Sequence, residues 1–461
     1  MAKNILFIAY YFPPLGGSGV QRSLKFIKYL PEFNVNPIVV TVKEGHNFAY
    51  DPEMIKEVPE SVKIYRSNSG EKLWLRKQIE GANKVALKIK GIVKSSNTNV
   101  GNDKPINNMD KTKNEAKVNI QSRYTIKDKI FKYLEYNHYV PDTKIRWYKH
   151  AVKDIKERVL KNEEIDLIFS TSAPYTDHLI ALEIKKVTNK PWVADFRDPW
   201  VENKFIYARY DEKRKAKERA LEKEVITYAD KVINVTETIT DDYIKRYPEF
   251  KEKFITITNG FDINDKVDEI SDTTKFIVNY SGIVSDGQNP EMVLNALKSI
   301  IEENNEFKKD LLINFTGFVH DKYLHLFDDA IIKDNVKINS YVPHSEILKE
   351  MKKSAINLIT LPDTVESKGI YTGKIFDYIL SERPILGVMP LGGVASNLIN
   401  SKGIGKAVTY DDFEGAKKYI KEIYSLWKNG SDLSTSSADI CKEFDRKNLT
   451  EQLVEVFENL N

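Results

Sequence analysis

A single cysteine, Cys441, stands among 461 residues, which excludes an internal disulfide framework and a cysteine-built zinc site. Long apolar runs are missing too, since no stretch approaches the ~20 residues that a spanning helix needs. The chain starts Met1-Ala2-Lys3-Asn4 and passes straight into a short apolar segment, Ile5 to Ala9. That segment is too short for a signal h-region with its cleavage site, so a cytoplasmic protein is expected, with any membrane contact peripheral on the inner face of the cytoplasmic membrane. An excess of one charge sign is also lacking. Lys plus Arg number 70 and Asp plus Glu 67, and a net charge of +3 offers no global reason to expect nucleic-acid binding. No short repeat of the solenoid kind is visible. What remains is the composition of a globular protein, 41% hydrophobic and 11% aromatic, long enough for two or three domains with sizeable cores.

The opening reads as a buried parallel strand, a glycine-rich turn and a helix. Asn4 to Tyr10 is a continuous apolar run, Pro13-Pro14-Leu15-Gly16-Gly17-Ser18-Gly19 fits no regular element, and Val20, Leu24, Ile27 and Leu30 recur at helical spacing. Pro37 to Val42 supplies the next strand and completes a β-α-β unit, which favours a parallel sheet with ligands at the carboxyl ends of its strands. Residues 73–94 read as a basic amphipathic helix, either packed on the first domain or seated on an anionic membrane. Residues 95–123 contain no aromatic residue and read as a mobile polar insertion. Further strands are expected at Ile165 to Ser170, Trp192 to Phe196 and Lys231 to Val235. A second series begins at Phe276 to Tyr280 and continues at Leu311 to Phe315, Val336 to Ile338, Ala355 to Thr360 and Pro384 to Val388, with helices between. The economical architecture is α/β: two doubly wound, Rossmann-like domains at 1–264 and 275–436, joined by a polar linker near 265–274 and closed by a crossover helix at 437–461.

Three loops carry residues suited to chemistry. Gly16-Gly17-Ser18-Gly19 would let a ligand approach the backbone and present a helix start to an anion, with Arg22 one turn in; the plain alternative is a tight strand-to-helix turn. Asp195-Phe196-Arg197-Asp198-Pro199-Trp200 sets two carboxylates around an arginine at a strand end, an arrangement that must be paired or bound to ligand. Its plain reading is Arg197 pinning the loop through Asp198. His178, at the neighbouring helix start, is a candidate to face the same cleft. In the third loop, Thr372 or Gly373 suits an N-cap, and Lys374 would project from the first turn against the helix dipole, which makes sense where a phosphate sits on that terminus. Asp377, one turn on, suits a ribose diol. Ser281-Gly282-Ile283 and Thr316-Gly317-Phe318 are expected as strand-end turns, and Gly392-Gly393 as a glycine-lined helix start.

Together these segments resemble a family 4 glycosyltransferase with the GT-B fold, over essentially the full length. The resemblance rests on Tyr11-Phe12-Pro13-Pro14 with Gly16 to Arg22, Asp195 to Trp200, Asn259-Gly260-Phe261-Asp262, Tyr280-Ser281-Gly282, and Thr372 to Tyr378 with Arg383-Pro384-Ile385-Leu386. It implies metal-independent transfer of a sugar from a nucleotide diphosphate donor, UDP- or GDP-linked, with retention of configuration and no other cofactor. The donor would lie against the second domain, near Ser281, Gly282, Gly317, Thr372, Gly373, Lys374, Asp377, Gly392 and Gly393, and against Gly16 and Gly17. The acceptor, a glycan or lipid-linked molecule of a bacterial-type surface polysaccharide, would lie beside Asp195, His178 and Arg22, with Arg197, Asp198 and Lys374 as the catalytic set.

The chain departs from the family pattern in places. Its usual pair of glutamates eight positions apart is reduced to Asp377 at the second place, with Gly369 at the first and Glu366 close by. The cations that usually hold the diphosphate are replaced by Ile283 and Gln288, which leaves Lys374, Arg22 and helix N-termini to compensate. Those losses define the alternative reading, a non-catalytic GT-B subunit that binds a partner enzyme or glycan.

Overall fold

The apolar runs become strands buried on both faces, as parallel strands flanked by helices must be. In the computed structural model, which describes residues 2–45, 50–70, 139–201, 207, 210–267, 274–339, 342–435 and 438–460, they form two parallel sheets. The helix expected at 73–94 and the polar insertion at 95–123 lie outside the described residues.

The first sheet contains β1 (Lys3–Ile8), β2 (Val35–Val42), β3 (Lys63–Ser67), β4 (Leu167–Ser172), β5 (Trp192–Phe196), β6 (Lys231–Asn234) and β7 (Phe254–Thr256). Their order is β3-β2-β1-β4-β5-β6-β7. The second contains β8 (Phe276–Val284), β9 (Leu311–Val319), β10 (Val336–Asn339), β11 (Ile356–Thr360), β12 (Ile385–Val388) and β13 (Gly405–Val408), in the order β10-β9-β8-β11-β12-β13. Each chain winds outward in one direction, returns to the middle and winds out the other way. The two reversals, between β1 and β4 and between β8 and β11, are the switch points where an open parallel sheet leaves a crevice.

Alternation along the strands divides each core in two. Leu6 and Ile8 of β1 join one apolar cluster and Ile5 and Phe7 the other. In the second sheet Leu358 faces one layer and Ile359 the opposite one. The last helix, Arg446–Glu458, returns to the first sheet, where Leu449, Leu453, Val454 and Phe457 cover Ile5 and Phe7. Burying four such side chains contributes roughly 6–12 kcal/mol as an upper figure, enough to hold the crossing. The crossing also accounts for Gly260 of the Asn-Gly-Phe-Asp motif. A Cβ there would stand 2.0 Å from the carbonyl oxygen of Phe444, and Phe261 N–H donates to that same oxygen at 3.0 Å.

The second sheet carries a feature its apolar pattern does not announce. Four asparagines run across it: Asn339 donates to Asn314, Asn314 to Asn279 and Asn279 to Asn357, at 2.9, 3.0 and 2.9 Å. Asn357 passes the chain on to Ser381 Oγ at 3.1 Å. Buried amides satisfied in series define one register for four strands and tie the helix Gly373–Ser381 to it.

One expectation is corrected here. Ser281-Gly282 and Thr316-Gly317 are not strand-end turns, because β8 runs to Val284 and β9 to Val319 with Gly282 and Gly317 side by side in the ladder. Both glycines have positive φ, 141° and 137°, and a Cβ on Gly317 would lie 2.1 Å from the carbonyl oxygen of Gly282. Gly317 marks a place where the neighbouring strand comes too close for a side chain.

The carboxyl ends of the two sheets face each other. Thr236, just beyond β6, donates through Oγ1 to the carbonyl oxygen of Gly369, in the loop after β11, at 2.9 Å. Lys266 and Glu382 add an ion pair at 2.8 Å.

Candidate active site

At the first switch point β1 delivers the glycine loop and β4 the segment leading to the helix Thr176–Thr188. Gly17 has φ 93°, a conformation glycine adopts without strain, and the helix Ser18–Tyr29 starts there with neither a side-chain cap nor an acid in its first turn. Backbone N–H groups at such a start favour an anion. The loop is anchored by Arg197, whose guanidinium donates to the carbonyl oxygens of Gly19, Ser172 and Ala173. Arg197 therefore does pin its surroundings, but through backbone carbonyls rather than through Asp198. The Asp198 side chain is exposed, with no hydrogen-bond partner among the described residues, and it stays available to a ligand.

Three residues expected beside the acceptor are turned inward. Arg22 is 2% exposed, and its guanidinium is saturated. Nε and Nη2 hold Asp195, with the closest contact at 2.8 Å, while Nη2 also reaches Ile257 O at 2.9 Å and Nη1 reaches Thr258 O at 2.7 Å and Asn259 Oδ1 at 3.3 Å. No N–H is left for a phosphate. Asp195 is wholly buried and accepts in addition from Thr171 Oγ1 at 2.7 Å. Burial alone would raise its carboxyl, and Arg22 overrides that to hold it below its ordinary value. His178 does not face a cleft: it is fully buried, stacked on Phe196 with ring centroids 4.5 Å apart, with Nδ1 2.8 Å from Ser170 Oγ. Burial pushes its pKa down to about 3, so the ring is neutral at physiological pH.

The second switch point is built differently. The helix Gly373–Ser381 begins after the β11 loop, with Thr372 as its N-cap residue. Thr372 makes no capping bond, and its Oγ1 is buried without a partner. Gly373 has nothing within 4 Å of where a Cβ would stand. Lys374 lies back over Gly282. Its Nζ is 4.6 Å from the Tyr280 ring centroid and 3.5 Å from Tyr280 Oη, and no carboxylate among the described residues pairs with it. A Cβ on Gly282 would come within 2.1 Å of Nζ, so that glycine is the space the ammonium occupies. Burial lowers the Lys374 pKa to about 8. An ammonium in this position is charged at neutral pH, poorly solvated and without a counter-ion.

Asp377 stands one turn further along and takes His344 Nε2 at 3.3 Å on Oδ1. That bond raises the His344 pKa. Sequence reasoning missed His344; its signal, a histidine directly after Pro343 at a helix start, is common in helices without function. Gly392, with φ 75°, opens onto free space, whereas Gly393 packs against Lys368 and starts the helix Val394–Ser401, where its N–H donates to Ser396 Oγ at 3.0 Å. Gly369, at the place of the family's first glutamate, is buried, and a Cβ there would meet Thr238 Cγ2 at 3.2 Å.

Residues 130–265 match the family described as Glycosyltransferase Family 4. The fold matches solved structures over nearly all of both chains. One is sucrose-phosphate synthase from Thermosynechococcus elongatus, at 12% identity and TM-score 0.58, covering 99% of each chain. Another is a variant of S. aureus TarM in complex with fondaparinux, alpha-GlcNAc-glycerol and UDP, at 15% identity and TM-score 0.53, again covering 99% of each. A third is WaaG, a glycosyltransferase involved in lipopolysaccharide biosynthesis, at 11% identity and TM-score 0.53, covering 98% of this chain and 99% of that one. At these identities the structures establish the GT-B fold. No curated protein matches the chain. The family segment and the fold together mark it as a glycosyltransferase. No helix among the described residues is long and apolar enough to cross a membrane.

Proposed function

We propose that this chain transfers a glycosyl residue from a nucleotide diphosphate sugar to a glycan, glycolipid or other surface-polysaccharide acceptor, with retention of anomeric configuration. The observation that carries the reading is Lys374: a part-buried ammonium with no acid partner among the described residues, one residue into an uncapped helix, at a switch point. Breaking the anomeric bond places negative charge on the departing diphosphate. Lys374 and the free N–H groups of Gly373 and Lys374 are positioned to receive that charge without reorganising. Gly373 lets the phosphates approach the backbone, Gly282 gives the Lys374 ammonium its place beside them, and Asp377, with Oδ2 unengaged, accepts from the ribose diol.

On the first sheet Gly16 and Gly17 bring the acceptor side close to the reaction centre, with Arg197 holding that loop in place and Asp198 facing the acceptor. Arg22 and Asp195 form the buried ion pair beneath it. In a front-face reaction the leaving phosphate takes the acceptor's proton, so the protein supplies charge and position rather than a base. The UDP of the TarM complex and the lipopolysaccharide role of WaaG, both proteins of the same fold, support a uridine-type donor and an envelope acceptor.

The test is a panel of UDP- and GDP-linked sugars incubated with the full chain and read by mass spectrometry for hydrolysis or transfer, followed by NMR of the product anomer. One accepted donor with retained configuration is expected. An inverted product refutes the mechanism, and binding without turnover across the panel refutes the activity.

A further inference from the structure

Two buried cations beside the first sheet, Arg22 and Lys25, are saturated. Arg22 spends every N–H on Asp195 and the 257–259 segment, and Lys25 Nζ sits among Glu57, Asp262 and Asp265 at 2.6, 2.9 and 3.4 Å. Arg446 breaks this pattern. It is the first residue of the returning helix, 6% exposed, and Nη1 is buried without a hydrogen-bond partner. No acceptor among the described residues bonds any part of its guanidinium.

Its backbone is fixed by a bond from its N–H to Phe261 O at 2.8 Å, and Asp445 before it accepts from Ile263 N–H at 3.2 Å, so the start of the helix that carries it is held in place. The charges acting on it come from both sheets: Arg22, Asp195 and Arg197 from the first, Asp377 from the second. Asp195 is already spent on Arg22, and Asp377 has one oxygen on His344. A cation in the first turn also opposes the helix dipole. Burying an unpaired guanidinium beside two other arginines lowers stability with nothing in the free protein to offset it.

We infer that Arg446 binds a phosphoryl group of a substrate where the carboxyl ends of the two sheets meet, at a position separate from that of Lys374. Separation follows from the surroundings. Lys374 lies over Gly282 and the Tyr280 ring of the second sheet, whereas Arg446 starts the returning helix and is tied to Phe261 beyond the first. Arg446 keeps its charge at neutral pH, since burial and the neighbouring Arg22 bring its pKa down only to about 9. A guanidinium is the side chain suited to the task, because its fork matches two phosphate oxygens.

The inference rests on the proposed donor chemistry, and two sources of phosphate fit it: the nucleotide diphosphate itself, or a phosphate on the acceptor. The full chain, its Arg446→Met variant and its Lys374→Met variant are titrated with UDP and GDP, and with inorganic phosphate in the presence and absence of the nucleotide. Arg446→Met is expected to weaken one arm by roughly 10- to 100-fold, the range for removing a charge-assisted hydrogen bond. Loss of nucleotide affinity places the donor on Arg446, and loss confined to phosphate on the nucleotide-saturated protein places the acceptor there. Ligand-free Arg446→Met is expected to melt no lower than the parent, which a purely structural arginine would not allow. Unchanged binding in both arms, or a lower melting temperature with binding intact, overturns the inference. If Lys374→Met weakens nucleotide binding and Arg446→Met weakens neither arm, the donor reading stands and this one fails. If no nucleotide binds but phosphate binding depends on Arg446, the donor reading fails and this one stands.

Discussion

Replacing Lys374 by methionine separates stability from function in opposite directions. The ammonium is lowered from 10.5 to about 8 by burial, with no acid to compensate. At 1.36 kcal/mol per pH unit, that amounts to about 3 kcal/mol of unfavourable free energy carried by the ligand-free protein at neutral pH. Methionine keeps the stem over Tyr280 and removes the charge, so the ligand-free variant should melt higher, by up to about 6–12 °C at 2–4 °C per kcal/mol. Nucleotide diphosphate binding should move the other way. Losing a preorganised cation against a developing oxyanion lowers turnover by ~10²-fold or more.

The same residue sets a pH dependence whose sign is fixed. Its folded pKa lies below the unfolded value, so between about 8 and 10.5 the unfolded chain binds more protons. Ligand-free stability contributed by this group therefore rises with pH across that window. A bound diphosphate restores the charge, so binding takes up a proton above about pH 8 and affinity falls as pH rises further. Differential scanning fluorimetry from pH 7 to 10, with and without UDP or GDP, measures both slopes. Lys374→Met should flatten both. A variant that melts several degrees lower, or one that binds nucleotide with parental affinity and slope, would refute the assignment.

Asp195→Asn leaves the buried Arg22 guanidinium without its counter-charge, and urea unfolding should show a loss of about 3–5 kcal/mol. Because the Asp195 carboxyl is depressed in the folded state, the parent should lose this contribution only as pH falls below the usual carboxylate range, whereas the variant lacks it at neutral pH. Equal stability at pH 7 would show that the pair is replaceable. Gly317→Ala puts a Cβ 2.1 Å from Gly282 O at a φ of 137°, so β8 and β9 must part beneath Lys374. Donor affinity should fall together with melting temperature, and a parental melting curve would remove the argument for glycine there.

The fold was legible because it is written locally. Apolar runs of strand length, each followed by a glycine or proline turn and a helical period, produced two doubly wound sheets with nearly the right strands. The strands missed were β3, β7 and β13, whose few residues are half exposed or too short to show a pattern. The candidate site was legible by position only. Both switch points carry the loops expected of them, and Lys374 stands at a helix start as its place after Thr372 and Gly373 suggested. What the chain order conceals is saturation. Arg22 reads as a cation one turn into a phosphate-facing helix, yet its partners lie 173 and 235 or more residues away, and they consume every N–H it has. Arg446 reads as an ordinary charge in the sequence Asp-Arg-Lys at a helix start, and among the described residues its buried Nη1 finds no partner. Whether a cation is spent or waiting depends on which distant carboxylates and carbonyls the topology brings within 3 Å of it. A lysine or arginine can therefore be assigned to a ligand only after its protein partners have been counted. By that count two waiting charges among the described residues are Lys374 and Arg446, one at the start of the helix after β11 and one at the chain crossing.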